Sequence, residues 1–232
     1  MSDTVRISTL EGEGAFTAYC ARPAGTPRAA VVVIQEIFGV NGGIRRKCDR
    51  LAAEGYLALA PDLFWRIEPG VDLNPDIEAE FQQALGLMGR FDQDQGVADI
   101  EATIRHTRNA LGVEKVGVVG YCLGGRLAYM VAARTDSDAS VGYYAVGIPD
   151  LLREKHAIAN PLMLHLAGAD HFVPPEAQAA MHEELDDHPK VTLHDYPGLD
   201  HGFATEIGER RNEEGAQLAD QRTAAFFAEH LG

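Results

Sequence analysis

Short apolar segments alternate with amphipathic segments along most of the chain. The apolar segments are rich in β-branched and aliphatic residues, which is typical of strands buried on both faces of a sheet. The predicted strands are residues 29–35, 57–62, 113–120, 141–146, 161–168 and 191–197. The predicted helices are residues 43–54, 76–91, 94–111, 124–135, 175–187 and 212–230. Because helices of this length separate the strands, the pattern predicts an α/β fold: a mostly parallel sheet with helices on both faces.

The N-terminal residues 5–21 depart from this alternation and predict a hairpin with Glu-Gly-Glu-Gly at its turn. The 232 residues contain no repeat or linker, so a single domain over residues 1–232 is expected. In a parallel sheet of this kind, ligands bind beyond the carboxyl ends of the strands. Candidate functional residues are therefore sought where strands end.

Composition and charge exclude several classes of function. A formal net charge of −15 argues against a nucleic-acid partner, because phosphate binding requires clustered Lys and Arg. No apolar run is long enough to span a membrane, and the N-terminus lacks the pattern of a secretory signal, so a cytoplasmic protein is expected. The three cysteines, Cys20, Cys48 and Cys122, are far apart and odd in number. This spacing predicts neither a disulfide framework nor a metal site, and leaves at least one free thiol.

One cysteine lies in a glycine-rich turn between a predicted strand and a predicted helix. The segment Gly120-Tyr121-Cys122-Leu123-Gly124-Gly125 matches the G-x-nucleophile-x-G elbow, with Cys in the usual place of Ser. The glycines relieve crowding at a sharp turn, and the helix N-terminus that follows favours an anion, with the Leu123 N–H placed to hold an oxyanion. In the alternative interpretation, Cys122 is a small buried residue in a nucleotide-binding turn. The absence of a G-x-G-x-x-G motif disfavours that alternative.

An acid and a base follow the elbow in the order expected of an α/β-hydrolase. Asp170 follows strand 161–168 and His201 follows strand 191–197, so both belong to the same sheet edge as Cys122. His201 is predicted to take the thiol proton and later protonate the leaving alkoxide, while Asp170 orients the imidazole. Asp200 is an alternative acid, although its place beside His201 is awkward. Three further histidines compete as bases, and together with His201 they form a possible metal site without a known ligand spacing: His165, His171 and His194.

A further carboxylate, Glu36, directly follows strand 29–35 at the same edge. From the residues alone it is either a functional acid beside the thiol or a solvated loop charge.

These motifs resemble those of the dienelactone hydrolase family from about residue 30 to the C-terminus. The matching segments are QEIFGVN, GYLALAPDLFWR, KVGVVGYCLGG, VGYYAVG, GADHFVP and DHGFA. The resemblance implies an α/β-hydrolase with a triad of Cys122, His201 and Asp170, without a cofactor, monomeric or weakly associated. It also implies that Glu36 controls the protonation of the thiol, and that the backbone N–H groups of Ile37 and Leu123 form the oxyanion hole.

Two positions depart from the family pattern. Family members that act on carboxylated lactones hold the substrate carboxylate with two arginines, and the corresponding positions here are Phe81 and Thr205. A desolvated carboxylate without an Arg partner is costly, unless Arg105, Arg210 or Arg211 substitutes. The remaining residues predict a more apolar pocket. Its candidate walls are Phe64, Trp65, Phe81, Leu85, Met88, Tyr144 and Thr205.

The sequence therefore predicts a carboxylic ester or lactone hydrolase resembling carboxymethylenebutenolidase, with a small-molecule substrate and no metal. Three alternatives stay open at this point: a general esterase or thioesterase, a hydrolase-like protein that binds a small ligand without turnover, and a redox sensor built on Cys122.

Overall fold

The computed structural model describes residues 2–12 and 14–232; Glu13, in the turn of the predicted hairpin, lies outside the described residues. The chain divides into two compact units. The first comprises the chain up to Gly117 together with Glu206–Glu209, and the second comprises Val118–Thr205 and Arg210–Gly232.

The first unit contains the predicted N-terminal hairpin and the first alternating segments. Its elements are β1 (Ser2–Ser8), β2 (Ala15–Ala21), β3 (Ala29–Ile34), α1 (Gly42–Ala53), β4 (Tyr56–Pro61), α2 (Glu78–Met88) and α3 (Gln93–Leu111). The strand order is β1-β2-β4-β3. Strand β2 runs antiparallel to both of its neighbours, whereas β3 and β4 are parallel. Every residue of β3 and β4 is buried, as their continuous apolar sequences predicted.

Local side-chain and glycine signals set the helix ends in this unit. Helix α1 begins after Asn41, whose side chain accepts hydrogen bonds from the N–H groups of Gly43 and Ile44. Helix α3 begins after Asp92, which accepts from two N–H groups of the first turn, and ends at Gly112 in the left-handed conformation. These caps explain why the helical periodicity stops where it does.

The second unit contains parallel strands separated by helices. Strand β5 (Val116–Tyr121) leads into it. The following elements are α4 (Leu123–Arg134), β6 (Ala139–Tyr143), a 3₁₀ helix (Ile148–Ala157), β7 (Leu162–Ala167), α5 (Pro175–Leu185), β8 (Val191–Tyr196) and α6 (Glu213–Leu231). The strand order is β5-β6-β7-β8, and β7 is parallel to both β6 and β8. The predicted mostly parallel α/β architecture is confirmed.

The connection between β6 and β7 differs from the prediction. The strand predicted over 141–146 ends at Tyr143, because Tyr144 has a positive φ of 36° that turns the chain out of the sheet. The 3₁₀ helix follows after Gly147 and supplies the crossover that parallel strands require. Only Ile148 and Leu151 of this helix are buried, so it has no apolar stripe that the sequence pattern could reveal.

Within residues 2–12 and 14–232, none of the helices combines the length and the apolar character needed to cross a membrane.

Candidate active site

Cys122 lies at the turn between β5 and α4 in a strained backbone conformation, with φ 56° and ψ −115°. A Cβ atom at Gly120 would lie 1.9 Å from the carbonyl oxygen of Gly124, so only glycine fits there. The turn is tied to the sheet, because the Cys122 N–H donates to the Tyr143 carbonyl at 3.0 Å. Its own carbonyl accepts from the Arg126 N–H at 3.2 Å. The geometry confirms the predicted strand-to-helix elbow.

Helix α4 packs very closely on the neighbouring strand. A Cβ atom at Gly125 would lie 2.7 Å from the Tyr143 carbonyl oxygen, and one at Gly142 would lie 3.0 Å from the Gly125 carbonyl oxygen. Both glycines are therefore required for the approach of the helix to β6. Leu123 is the first residue of α4, and Cys122 directly before it is half-buried. The thiol thus lies at the positive end of the helix dipole, where an anion is favoured.

Asp170 and His201 form a buried pair in the loops after β7 and β8. The His201 Nδ1 donates to Asp170 Oδ2 at 2.8 Å, and both side chains are almost fully excluded from solvent. The other carboxylate oxygen, Oδ1, accepts from the Phe172 N–H at 2.9 Å. With both oxygens engaged, the carboxylate cannot rotate freely. It therefore fixes the imidazole tautomer that carries its proton on Nδ1.

The Cys122 thiol is the second group that acts on the His201 ring, through a hydrogen bond and a charge that raise the pKa of the imidazole. Because Nδ1 is taken by Asp170, Nε2 is the nitrogen that serves Cys122. Burial alone lowers the pKa of His201, but the hydrogen bonds and charges of Asp170 and Cys122 outweigh it and raise that pKa to about 10. The imidazole is thus stabilised as a cation between the Asp170 carboxylate and the Cys122 sulfur. The structure brings together the three residues that the sequence placed at one sheet edge.

The competing acid and bases have other partners. Asp200 accepts from His171 Nδ1 at 2.8 Å and from the His201 backbone N–H at 2.7 Å, so it faces the His171 ring and not the His201 ring. His165 is fully buried, and both ring nitrogens bond to hydroxyl groups, of Tyr196 at 2.7 Å and of Thr223 at 2.9 Å. A metal site that included His165 would have to break both bonds.

One group of three side chains has the geometry of possible metal ligands: Asp170, His171 and Asp200, with ligand atoms within 4.8 Å of one another. Asp170 already serves His201, and the other two residues pair with each other. The group is fully explained by these hydrogen bonds.

The rings of Tyr144 and Phe172 stand edge-on to His201. The Tyr144 ring lies 5.1 Å from the imidazole and the Phe172 ring 4.9 Å, measured between centroids. Tyr144 is buried, whereas Phe172 is 49% exposed. The predicted role of Tyr144 as a pocket wall stays a prediction. The prediction from sequence missed Phe172. Its place two residues after Asp170, in GADHFVP, was the available signal, since a chain turning around the acid brings that side chain back toward the base.

Glu36 and Ile37 follow β3 in the first unit, as predicted. Glu36 is half-buried and Ile37 is buried. The preceding Gln35 supports this loop: its amide donates to the Glu36 carbonyl at 3.3 Å, and its side-chain oxygen accepts from the Leu63 N–H at 3.1 Å. The roles of Glu36 and of the Ile37 N–H stay predictions.

The aromatic residues predicted as pocket walls in the first unit have well-defined neighbours. Trp65 donates from Nε1 to Asp99 at 2.9 Å and stacks on Phe16 at 6.0 Å. It packs there against a small core cluster. Phe64 is fully buried and meets the Phe91 ring edge-on at 5.4 Å. These contacts belong to core packing, and a pocket role for either residue stays a prediction.

The candidate residues of α2 are more accessible. Phe81 is half-buried with its ring 6.0 Å from that of Phe38. Leu85 and Met88 are 36% and 39% exposed. An exposed apolar face on this helix is compatible with contact to a substrate, and the pocket role of these residues likewise stays a prediction.

The arginines considered as substitutes for the missing pair differ in their partners. Arg105 is on α3 and pairs with Glu101 within the same helix. Arg211 pairs with Glu213 at 2.7 Å and donates to the carbonyl of Thr205, whose side chain is buried, at 3.0 Å. The exposed Arg210 extends its aliphatic stem beside Gly202, next to His201.

The parallel strands and the elbow, with a cysteine facing a histidine–aspartate pair, define an α/β-hydrolase. The chain belongs to the dienelactone hydrolase family, whose profile matches residues 16–231. It is 46% identical over 221 residues, 95% of this chain and 96% of the relative, to an Azospirillum brasilense protein provisionally named carboxymethylenebutenolidase. It is also 38% identical to the carboxymethylenebutenolidase of Pseudomonas putida, with 98% and 97% of the two chains covered.

Solved structures agree with the fold. A crystal structure from Klebsiella pneumoniae subsp. pneumoniae MGH 78578, provisionally described as a dienelactone hydrolase, superposes with a TM-score of 0.83. It is 28% identical, and 99% of each chain is covered. The predicted α/β-hydrolase fold and the resemblance to this family are confirmed.

Proposed function

We propose that this chain hydrolyses a small lactone or carboxylic ester through a triad of Cys122, His201 and Asp170. One observation carries the proposal: a single imidazole is hydrogen-bonded to a buried carboxylate, and its pKa is raised both by that carboxylate and by the thiol at a strained elbow. This is the arrangement of nucleophile, base and orienting acid that acyl transfer requires. A protein that only binds a ligand needs none of the three.

The reaction proceeds in two stages. His201 takes the proton of the Cys122 thiol, and the thiolate attacks the carbonyl carbon. The backbone N–H of Leu123 stabilises the developing oxyanion, and the resemblance to dienelactone hydrolases assigns a second donor, the N–H of Ile37. The tetrahedral intermediate then expels an alkoxide, which takes a proton from the His201 imidazolium and leaves a thioester on Cys122. In a lactone this alkoxide stays attached to the acyl group. A water molecule next gives a proton to His201 and attacks the thioester. The C–S bond then breaks, the acid is released, and the His201 imidazolium returns the proton to the Cys122 sulfur.

Glu36 is the proposed regulator of the thiol proton. The resemblance to dienelactone hydrolases assigns this role to the glutamate of QEIFG, and its half-buried position after β3 supports it. Acids that interact closely titrate as a coupled pair, and the resemblance implies that Glu36 uses such coupling to hold the thiol protonated until substrate arrives. In Glu36→Gln, turnover is expected to fall while the circular dichroism spectrum is unchanged. Turnover equal to wild type would leave Glu36 a solvated loop charge.

The substrate is proposed to be less anionic than that of dienelactone specialists. The Pseudomonas putida relative is a carboxymethylenebutenolidase, but this chain has Phe81 and Thr205 where the resemblance implies two carboxylate-binding arginines. Exposed apolar side chains on α2 support a more apolar site. A general esterase or thioesterase is therefore the second candidate function.

Two substrates distinguish these candidates. Preference for a dienelactone over p-nitrophenyl acetate by more than about tenfold in kcat/KM identifies a lactone specialist, and the reverse identifies a general esterase. Cys122→Ala should abolish both activities, whereas Cys20→Ala, which removes a buried thiol of the first unit, is the matched control. Hydrolysis that persists in Cys122→Ala would overturn the mechanism. A wild-type protein that hydrolyses no ester would indicate a binding protein instead.

We further propose that the chain acts in the cytoplasm as a single domain, monomeric or weakly dimeric. Its net charge of −15 supports weak association, because copies of the chain repel one another. Sedimentation at low and high salt measures the association directly, and a stable dimer at all concentrations would refute the proposal.

A further inference from the structure

A cleft of about 510 Å³ opens between α6 and the strands β7 and β8, within the second unit. Helix α6 turns one face toward it, on which Arg222, Phe226 and Glu229 follow one another at helical spacing. Alternate residues of β8, including His194, face the cleft from the sheet. Buried Met163 on β7 belongs to the same lining. The volume is within the range of small-molecule sites.

The cleft is basic in a strongly acidic chain. Lys190 and Arg222 contribute permanent positive charges and Glu229 a single negative one, against a net charge of −15 overall. Over the part of the chain that the structure describes, neither Lys190 nor Arg222 has a carboxylate within ion-pair distance. The Arg222 guanidinium instead lies over the Tyr196 ring, 5.2 Å from its centroid. Lys190 and Arg222 thus supply two cations to one cleft whose lining includes one carboxylate, that of Glu229.

A buried hydrogen-bond network holds the floor of the cleft in place. The His165 ring bonds to the Tyr196 hydroxyl at 2.7 Å and to the Thr223 hydroxyl at 2.9 Å. Thr223 in turn bonds to the Tyr143 hydroxyl at 2.6 Å. The network links α6 to β6, β7 and β8, and the His194 ring stacks on His165 at 5.8 Å. A site whose supports are already ordered loses little entropy when a ligand binds.

His194 reports on the charge of the cleft. Burial and then the positive charge of Arg222 lower its pKa, while Asp195 opposes them. At neutral pH the ring is therefore uncharged and offers a hydrogen-bond donor or acceptor. An anion placed between His194 and Arg222 would reverse the electrostatic effect and raise the pKa of the ring.

We infer that this cleft is a binding site for a small carboxylate with an apolar ring or chain. Arg222 and Lys190 take the carboxylate, which matches the bidentate geometry of a guanidinium, and Met163 and Phe226 contact the apolar part. The cleft contains none of the triad residues. The inference therefore stands or falls separately from the proposed hydrolase activity.

The test titrates sodium benzoate into the full chain, with benzamide as the neutral probe of the same shape. Calorimetry measures the affinity, and the imidazole signals of His194 locate the site. Wild type should bind benzoate saturably with a rise in the pKa of His194, and should not bind benzamide. Arg222→Gln should weaken benzoate binding by about tenfold or more, and so should Lys190→Gln, at the more exposed of the two side chains. Arg153→Gln removes an exposed arginine of the 3₁₀ helix and should bind as wild type does.

Several results would overturn the inference. One is benzoate binding that leaves the His194 signals unmoved, since the carboxylate would then be elsewhere, including the triad. Another is equal binding of benzamide, which would mean that the cations play no part. A third is wild-type affinity in both Arg222→Gln and Lys190→Gln. Binding of inorganic phosphate without benzoate would also refute the assignment to an apolar carboxylate.

Discussion

Replacement of Asp170 by Asn tests the arrangement around His201 most directly. In wild type, Asp170 Oδ1 accepts from the Phe172 N–H and Oδ2 from His201 Nδ1. An asparagine can keep the first bond only by turning its NH₂ group toward Nδ1. The imidazole must then accept a hydrogen bond at Nδ1 and carry its proton on Nε2, which faces Cys122. The base is thus held in the wrong tautomer, although the volume at residue 170 is unchanged.

The magnitude follows from the pKa of His201. A rise from 6.5 to about 10 corresponds to roughly 5 kcal/mol in favour of the imidazolium, supplied by Asp170 and Cys122 against the effect of burial. Without the carboxylate, only Cys122 still raises the pKa of His201 against the lowering effect of burial, so that pKa falls toward or below its usual value. The wrong tautomer and the lost charge together should lower kcat about 10³- to 10⁴-fold.

The assay is a pH–rate profile of ester hydrolysis, combined with NMR titration of the His201 ring. Wild type should keep the imidazolium through neutral pH and lose it near pH 10, whereas Asp170→Asn should lose it at much lower pH. Asp200→Asn is the matched control, because that carboxylate faces the His171 ring, and it should retain most activity. If Asp170→Asn keeps kcat within tenfold of wild type with an unchanged profile, Asp170 does not orient the base.

Further predictions concern stability, each measured by urea denaturation. Gly120→Ala should lower the free energy of unfolding by at least about 3 kcal/mol, because the new Cβ would overlap the Gly124 carbonyl. Gly86→Ala, on α2 with open space around it, should raise that free energy by about 0.5–1 kcal/mol. Equal effects of the two substitutions would contradict the crowding argument. Thr223→Val should lose about 1–3 kcal/mol by leaving His165 Nε2 unpaired, and Thr223→Ser should restore most of it; a neutral valine variant would show that the network adds nothing. Wild type should be more stable than His201→Gln, because the folded state binds the His201 proton more tightly than the unfolded state does. This difference in the free energy of unfolding should be complete below pH 6.5 and disappear as the pH rises through about 10. A difference that grows with pH would contradict the predicted sign.

The alternation of strands and helices could be predicted because the strands β3, β4, β5 and β7 are buried along their whole length, and a helix such as α3 has a distinct apolar face. The triad could be predicted for a related reason. Cys122, Asp170 and His201 each follow a strand, and parallel strands bring their carboxyl ends to one edge. Nearness in space was therefore implied by position along the chain.

The rest depended on side-chain directions that no periodicity reveals. The 3₁₀ helix has too few buried residues to show a pattern, and Tyr144 ends β6 through a backbone angle that its residue type does not suggest. His165 could be considered as a base, yet its partners on β8 and α6 are 31 and 58 residues away in sequence. Phe172 reaches His201 only because the loop turns around Asp170.

The conformation at residue 122 has a consequence for how this enzyme could diverge. The bend is maintained by the bare backbone at position 120, the closely packed helix and the hydrogen bond to β6, none of which involves the sulfur atom. A serine at this position would occupy the same bend, so a change from a sulfur to an oxygen nucleophile requires no change in the surrounding backbone. Reactivity and architecture can therefore be selected independently at this position.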